Sequence, residues 1–352
     1  MTASDAGPGD DLSYAGQAGH EPLRATGHGT PSGHGAASDT RAAAEPPVDA
    51  RLLDGPARSD AVASASGSAQ LTPGPGDGAA PVGPPEWLLR VPLTLREAWD
   101  GPPAHEREYL SDSHLTVRSS TEHRALARDR SHLIDDAVDW FRTYAPPPNP
   151  PRRSAVLALF APRAPDSLDD RRRRGPRPPT SYDCDVLLTE RAADMRSHAA
   201  QVVCPGGHLD PGDDGPVGAA LREAWEEVGL DRSSVDVVAE LPGLYLHPSG
   251  NAVIPVLGWW ARPHPVGVVD PAEVARVALA DLDHLLDPRN RFTVVGPMGY
   301  RGPGFSVDGL FVWGFTANLL THVFELAGIA LAWDESVIRP LPPHLAAAYW
   351  PR

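Results

Sequence analysis

The sequence predicts an α/β or α+β sandwich, a mixed sheet with helices on its faces, behind a disordered N-terminal tail. Three observations predict it. From Asp185 onward, strand-like apolar runs alternate with amphipathic stretches. One of those stretches, from about Val217 to Val228, has helical spacing and is closed by Gly229. Residues 1–85 hold 11 of the 40 prolines, 14 of the 33 glycines and 18 alanines, with one aromatic, Tyr14. A segment so poor in bulky apolar side chains cannot offset the entropy of ordering itself. Its removal is expected to leave activity and melting temperature unchanged.

The elements follow in order. Between Trp87 and Tyr144 the pattern is helical in patches, best from Arg130 to Tyr144, where Leu133, Ile134, Ala137, Val138 and Phe141 recur every three to four residues. Pro146–Pro151 breaks the chain. Strand-like runs follow at Ser154–Ala161 and Asp185–Thr189. The intervening Pro162–Pro179, with Arg171–Arg174, reads as a solvated loop, with an RNA- or membrane-binding patch as the lesser alternative. Gln201–Cys204 then leads into Pro205-Gly206-Gly207. After the 217–228 helix come strands at Val235–Leu241 and Ala252–Trp260, a strand plus helix over Glu273–Leu286, and a strand Phe305–Trp313 feeding a helix from Phe315 to Ala327. The expected divisions are a tail (1–85), a helical extension (86–150), an α/β domain (151–340) and a C-terminal tail (341–352).

Composition excludes several functions. All 31 basic residues are arginine, so neither a Schiff-base lysine nor a phosphate-gripping P-loop lysine exists. A net charge of −15 argues against a nucleic-acid partner. Two cysteines, Cys184 and Cys204, make neither a disulfide framework nor a zinc site, and reduced thiols fit a cytoplasmic protein. No basic segment followed by an apolar run marks a secretory signal. The apolar stretch Leu310–Trp333 is interrupted by Asn318, His322 and Glu325, so a buried helix, not a membrane span, is expected.

The chemistry concentrates in Cys204–Leu230. On a helix, Glu223, Glu226 and Glu227 stand at i, i+3 and i+4 and share one face. Arg222 compensates part of that charge. A hard divalent cation such as Mg²⁺, which prefers oxygen ligands and keeps positions open for phosphates, would compensate the rest. A solvated acidic face is the bland alternative. Gly206-Gly207 supplies a backbone that turns sharply and approaches a ligand closely, or is simply a turn.

This stretch resembles the Nudix hydrolase signature, G-x5-E-x7-R-E-U-x-E-E-x-G-U, with Gly207, Arg222, Glu223, Glu226, Glu227, Gly229 and Leu230 on its fixed positions. Asp213 stands at the first acidic position with one extra residue before Arg222, and Ala224 replaces a bulky aliphatic. Leu187–Gly207 resembles a second signature, L-L-T-x-R-S/A-x3-R-x3-G-x3-F-P-G-G, matched by Leu187, Leu188, Thr189, Arg191, Ala192, Arg196, Pro205, Gly206 and Gly207. Ala200 replaces its glycine and Cys204 its phenylalanine. That signature accompanies the coenzyme A pyrophosphatase-like Nudix proteins.

The resemblance implies a Nudix α/β/α sandwich that hydrolyses a small-molecule diphosphate with Mg²⁺ or Mn²⁺ held by Glu223, Glu226 and Glu227. The substrate it implies first is coenzyme A or an acyl derivative. ADP-ribose, dinucleotides or nucleotide sugars are the alternative, and a non-catalytic binding module is a third reading. Glu226 and Glu227, with Glu273 as a further base or ligand from a later loop, would be catalytic. Arg191, Arg196, Gly206, Gly207 and Ser249 would face the substrate. Arg222 would orient the glutamates, and Asp213 would cap the helix or fix the loop. His198 and Cys204 read as packing residues.

Overall fold

The computed structural model describes residue 71 and residues 82–100, 131–163, 182–195 and 198–346. Arg196, Arg171–Arg174 and residues 347–352 lie outside the described residues, as does the expected tail except for Leu71 and residues 82–85.

Two helices come first, α1 (Glu86–Asp100) and α2 (Ser131–Thr143). Eight strands then build one mixed sheet: β1 (Arg152–Pro162), β2 (Cys184–Arg191), β3 (Val202–Val203), β4 (Gly206–His208), β5 (Val235–Glu240), β6 (Leu244–Leu246), β7 (Asn251–Trp260) and β8 (Val274–Asp281). The spine of the sheet runs β3-β2-β1-β7-β5. Strand β4 also pairs with β1, β6 with β7 and β8 with β2. Strands β1 and β7 are parallel, with Ala155 beside Ile254 and Phe160 beside Trp259. The pairs β1–β2, β2–β8 and β1–β4 are antiparallel.

Strand β1 is buried on both faces, and its period-two alternation sorts its side chains. Ala155, Leu157, Leu159 and Ala161 point into one core with α3 (Gly215–Val228), where Ala219, Ala220, Ala224 and Val228 let the helix lie close. Ala158 and Phe160 point into the opposite core. There they meet Leu88, Val91 and Leu95 of α1, Phe141 of α2, and Leu320, Val323 and Phe324 of α5 (Gly314–Leu326). Each fully buried Leu or Phe contributes about 1.5–3 kcal/mol. The result is three layers, helix on sheet on helix, as the fold class predicts.

A second sheet, absent from the sequence reading, lies in the C-terminal part: β9 (Arg291–Val295), β10 (Arg301–Val307), β11 (Leu310–Val312) and β12 (Ile338–Pro340), in the order β11-β10-β9-β12. This corrects the single strand expected at Phe305–Trp313. The chain reverses at Asp308-Gly309, both at positive φ (49° and 75°), and forms a hairpin before α5 begins at Gly314. Asp-Gly is the dipeptide that such a two-residue turn favours. Short helices α4 (Leu282–Leu286) and α6 (Pro343–Ala346) complete the described structure. No described helix is long and apolar enough to cross a membrane.

A charged cluster joins the far ends of β1, β2 and β8. Arg163 Nε donates to Asp185 Oδ1 at 2.6 Å, and its Nη1 donates to Asp281. The three side chains are only 7, 9 and 5 % exposed.

Candidate active site

The site is assembled where β4 crosses the end of α3. Gly207 pairs with Ala155 and Gly206 with Val156, so the Gly-Gly step lies directly on β1. A Cβ on Gly206, whose φ is +156°, would stand 2.3 Å from the Ala155 carbonyl oxygen. A Cβ on Gly207 would stand 2.3–2.5 Å from the carboxyl atoms of Glu223. Each glycine is therefore required by what lies against it, the β1 backbone in one case and a site carboxylate in the other.

Helix α3 carries the three glutamates. It begins at Gly215, two residues earlier than the spacing suggests, with Pro216 in its first turn. Gly229 ends it in the left-handed conformation (φ 76°), its N–H donating to Trp225 O at 2.9 Å. Asp213 does not cap the helix. The N-cap is Asp214, which makes no side-chain cap bond. Asp213 instead accepts from Arg222 Nε (2.9 Å) and Nη2 (3.1 Å) and from the Asp210 N–H (2.7 Å), which fixes the loop. Arg222 also donates to His208 O (2.9 Å) and Glu226 Oε2 (3.0 Å), and its Nη1 lies 3.1 Å from Glu223 Oε1. One guanidinium thus joins the glycine loop, the acidic loop and two of the glutamates.

The carboxylates differ in setting. Glu227 is 2 % exposed; its Oε2 accepts the Gly206 N–H at 3.2 Å, and its Oε1 lies 3.8 Å from Arg191 Nη1. Burial pushes its pKa up to about 7; the Gly206 N–H and Arg191 pull it down, while Glu223 and Glu273 push it further up. Burial also raises Glu223, against the pull of Arg222. Glu226 is the open one, its side chain 46 % exposed.

Glu273 lies in an exposed turn just before β8. Its carbonyl accepts the Ala192 N–H at 2.8 Å, and its charge acts on both Glu223 and Glu227. Arg191, at the end of β2, has a buried Nε without a hydrogen-bond partner. Ser249 sits in the turn before β7, its hydroxyl donating to Leu246 O at 3.2 Å. Two residues on, Asn251 Nδ2 donates to Ser154 Oγ at 3.0 Å, and Ser154 pairs with His208. His198 and Ala200 both take left-handed backbone (φ 56° and 57°), and Ala200 packs on the second sheet's core. Burial holds the Cys204 thiol near 12, so it stays neutral and packs.

Two anchors of the site carry no motif. Val269 N–H donates to Glu227 O at 3.0 Å, and Gly267 N–H to Val228 O at 3.1 Å, so a later loop satisfies the last carbonyls of α3. Only the unpaired helix end in the sequence hints that such a partner exists.

The donor set suits a hard divalent cation: carboxylate oxygens, two of them raised in pKa by burial and mutual repulsion, and a glycine cradle against one of them. Among the described residues no three His, Cys, Asp or Glu side chains stand gathered around one point, and Arg222 Nη1 lies between Glu223 and Glu226.

The chain matches the NUDIX domain family over residues 179–292. It is 34 % identical over 150 residues to Nudix hydrolase NudL of Salmonella paratyphi B, covering 41 % of this chain and 76 % of the relative, and equally similar to NudL of Salmonella newport. Among solved structures, the Caenorhabditis elegans Ap4A hydrolase is 18 % identical over 37 % of this chain and 80 % of that one, at a TM-score of 0.26. A MutT/nudix family protein from Enterococcus faecalis is 12 % identical over 58 % and 73 %, at 0.32. The sandwich and its carboxylate-bearing helix define a hydrolase of diphosphate linkages. The chain belongs to the Nudix hydrolase family and is a Nudix diphosphatase.

Proposed function

We propose that this diphosphatase cleaves coenzyme A or its acyl derivatives into 3′,5′-ADP and 4′-phosphopantetheine or its acyl form, using Mg²⁺ or Mn²⁺. The observation that carries the reading is that the second signature is physically part of the carboxylate cluster. Arg191 lies 3.8 Å from Glu227, and Ala192 holds the backbone of Glu273.

In this reading Glu223, Glu226 and Glu227 would hold the metal, which would acidify a water molecule and offset charge on the phosphate oxygens. Glu273 takes the proton as the water oxygen bonds to phosphorus and the bridging P–O bond breaks, with the departing phosphate carrying the electron pair. Arg191 binds a phosphate oxygen through its guanidinium, and Arg196 and Ser249 contact the rest of the substrate. Arg222 orients Glu223 and Glu226. Gly206 lets the loop lie on β1 with its N–H on Glu227, and Gly207 leaves room for Glu223 and the diphosphate.

The test uses the 3′-phosphate. A chain without lysine must meet that group with arginine, helix N-termini or backbone amides. Removing one charge-assisted contact costs on the order of 1.5–3 kcal/mol, roughly 10- to 150-fold in kcat/KM. Dephospho-coenzyme A is therefore expected to be much poorer than coenzyme A, with Arg191→Ala or Arg196→Ala narrowing the gap. Equal rates on both, with ADP-ribose faster than either, would replace the coenzyme A reading by the ADP-ribose one.

A further inference from the structure

Leu71 lies 15 residues ahead of α1, in the segment whose composition predicts no role. Its N–H donates to Val266 O at 2.7 Å, and its carbonyl accepts the Val266 N–H at 2.8 Å, a complete antiparallel bridge. Its side chain packs on the core beneath α3. A second tie lies nearby, where Val82 N–H donates to Ala261 O at 3.2 Å and Trp259 Nε1–H donates to Val82 O at 2.5 Å.

We propose that Leu71 is a positioning residue for the diphosphatase reaction, pinning the loop that holds the end of the glutamate helix and carries Glu273. The proposal rests on the site assignment above. The connection is short and made of backbone. Val266 is 1 % exposed, so its N–H and carbonyl need partners, and Leu71 supplies one to each. One residue on, Gly267 N–H bonds Val228 O; two further on, Val269 N–H bonds Glu227 O. The loop then turns at Asp270, whose carbonyl accepts the N–H of Glu273 (3.2 Å) and of Val274 (2.9 Å). Glu273 in turn takes the Ala192 N–H on its carbonyl. A shift of Val266 therefore moves the backbone of one site carboxylate and the anchor of another.

The link from residues 261 to 273 carries no helix or long strand, and a loop of that length keeps one shape only where it is tied. Arg262 and His264 tie its first part to the turn between α3 and β5, through Ser234 O and the Asp231 N–H. Leu71 ties its middle, next to the residues that touch α3.

The test uses the full chain. Leu71→Pro removes the donor to Val266 O, and Leu71→Ile keeps both backbone bonds and a side chain of similar volume. In the metal-free protein, Leu71→Pro is expected to speed amide exchange at Gly267 and Val269 at least ~10-fold, with the melting temperature nearly unchanged. With metal and substrate, its kcat falls about 10-fold while KM stays within about twofold, because the reacting groups are misplaced and the binding groups are not. Leu71→Ile matches wild type in both assays. Wild-type exchange and kcat in Leu71→Pro would overturn the proposal. So would a fall of kcat only in step with global unfolding. Glu227→Gln in the same assay separates the two failures. Full activity there removes the site assignment, whereas loss there beside a wild-type Leu71→Pro removes the role of Leu71 alone.

Discussion

The carboxylate of Glu223 lies against the α-carbon of Gly207, so closely that a methyl group there would overlap it at 2.3–2.5 Å. Glycine at this position makes room for a site carboxylate. Gly207→Ala is expected to keep the fold, since its own β1 pairing tolerates a side chain, and to cut kcat by at least ~10²-fold by displacing Glu223. Circular dichroism and steady-state rates on one preparation check both halves; wild-type turnover would place Glu223 outside the reaction.

Glu226 and Glu227 separate activity from stability. Either change to Gln is expected to lower turnover at least ~10²-fold. Glu227, with a pKa pushed up to about 7 by burial, costs the fold stability as pH rises from its unfolded value near 4.5 through 7, because the unfolded chain loses that proton first. In EDTA at pH 8, Glu227→Gln therefore melts above wild type, and the difference vanishes by pH 4. The exposed Glu226→Gln changes the melting temperature little at either pH.

Asp281 works in the other direction. Burial acts to raise its pKa, but the hydrogen bond and charge of Arg163 outweigh that and hold it below the ordinary carboxylate range. Its contribution is full above the unfolded value near 4 and is lost as pH falls through the lower folded value. Asp281→Asn leaves Arg163 half-paired in a buried position and is expected to cost about 3–5 kcal/mol in urea unfolding at pH 7. The variant also loses less further stability than wild type between pH 4.5 and 2.5; parallel curves would refute the pairing.

Ala200 holds left-handed backbone at φ +57°, where the resembled signature has glycine. That conformation costs an L-residue roughly 1–2 kcal/mol, partly offset in a glycine variant by a freer unfolded chain. Ala200→Gly is expected to raise stability by up to about 1 kcal/mol, read as a shift of the urea midpoint at constant slope. A destabilised variant would mean that packing of the Ala200 methyl on the second sheet outweighs the strain.

What the sequence by itself determined is local. The i, i+3, i+4 spacing put Glu223, Glu226 and Glu227 on one helix, Gly229 marked its end, and the apolar run Ser154–Ala161 marked a strand. Helical and extended periodicities are properties of neighbouring residues, so they survive without knowledge of the rest of the chain. Asp308-Gly309 carried an equally local hairpin signal.

Tertiary structure decided the pairings across distance. Arg163 finds Asp185 and Asp281, 22 and 118 positions away, only because β1, β2 and β8 end side by side. Arg191 meets Glu227 across the sheet-to-helix contact, which turns a motif arginine into a neighbour of a buried carboxylate. Leu71 bonds Val266 through backbone atoms that every residue possesses, so its side chain carries no mark of the role. Such contacts depend on which elements come to lie alongside one another, and that is fixed by burial of the two cores on either face of β1.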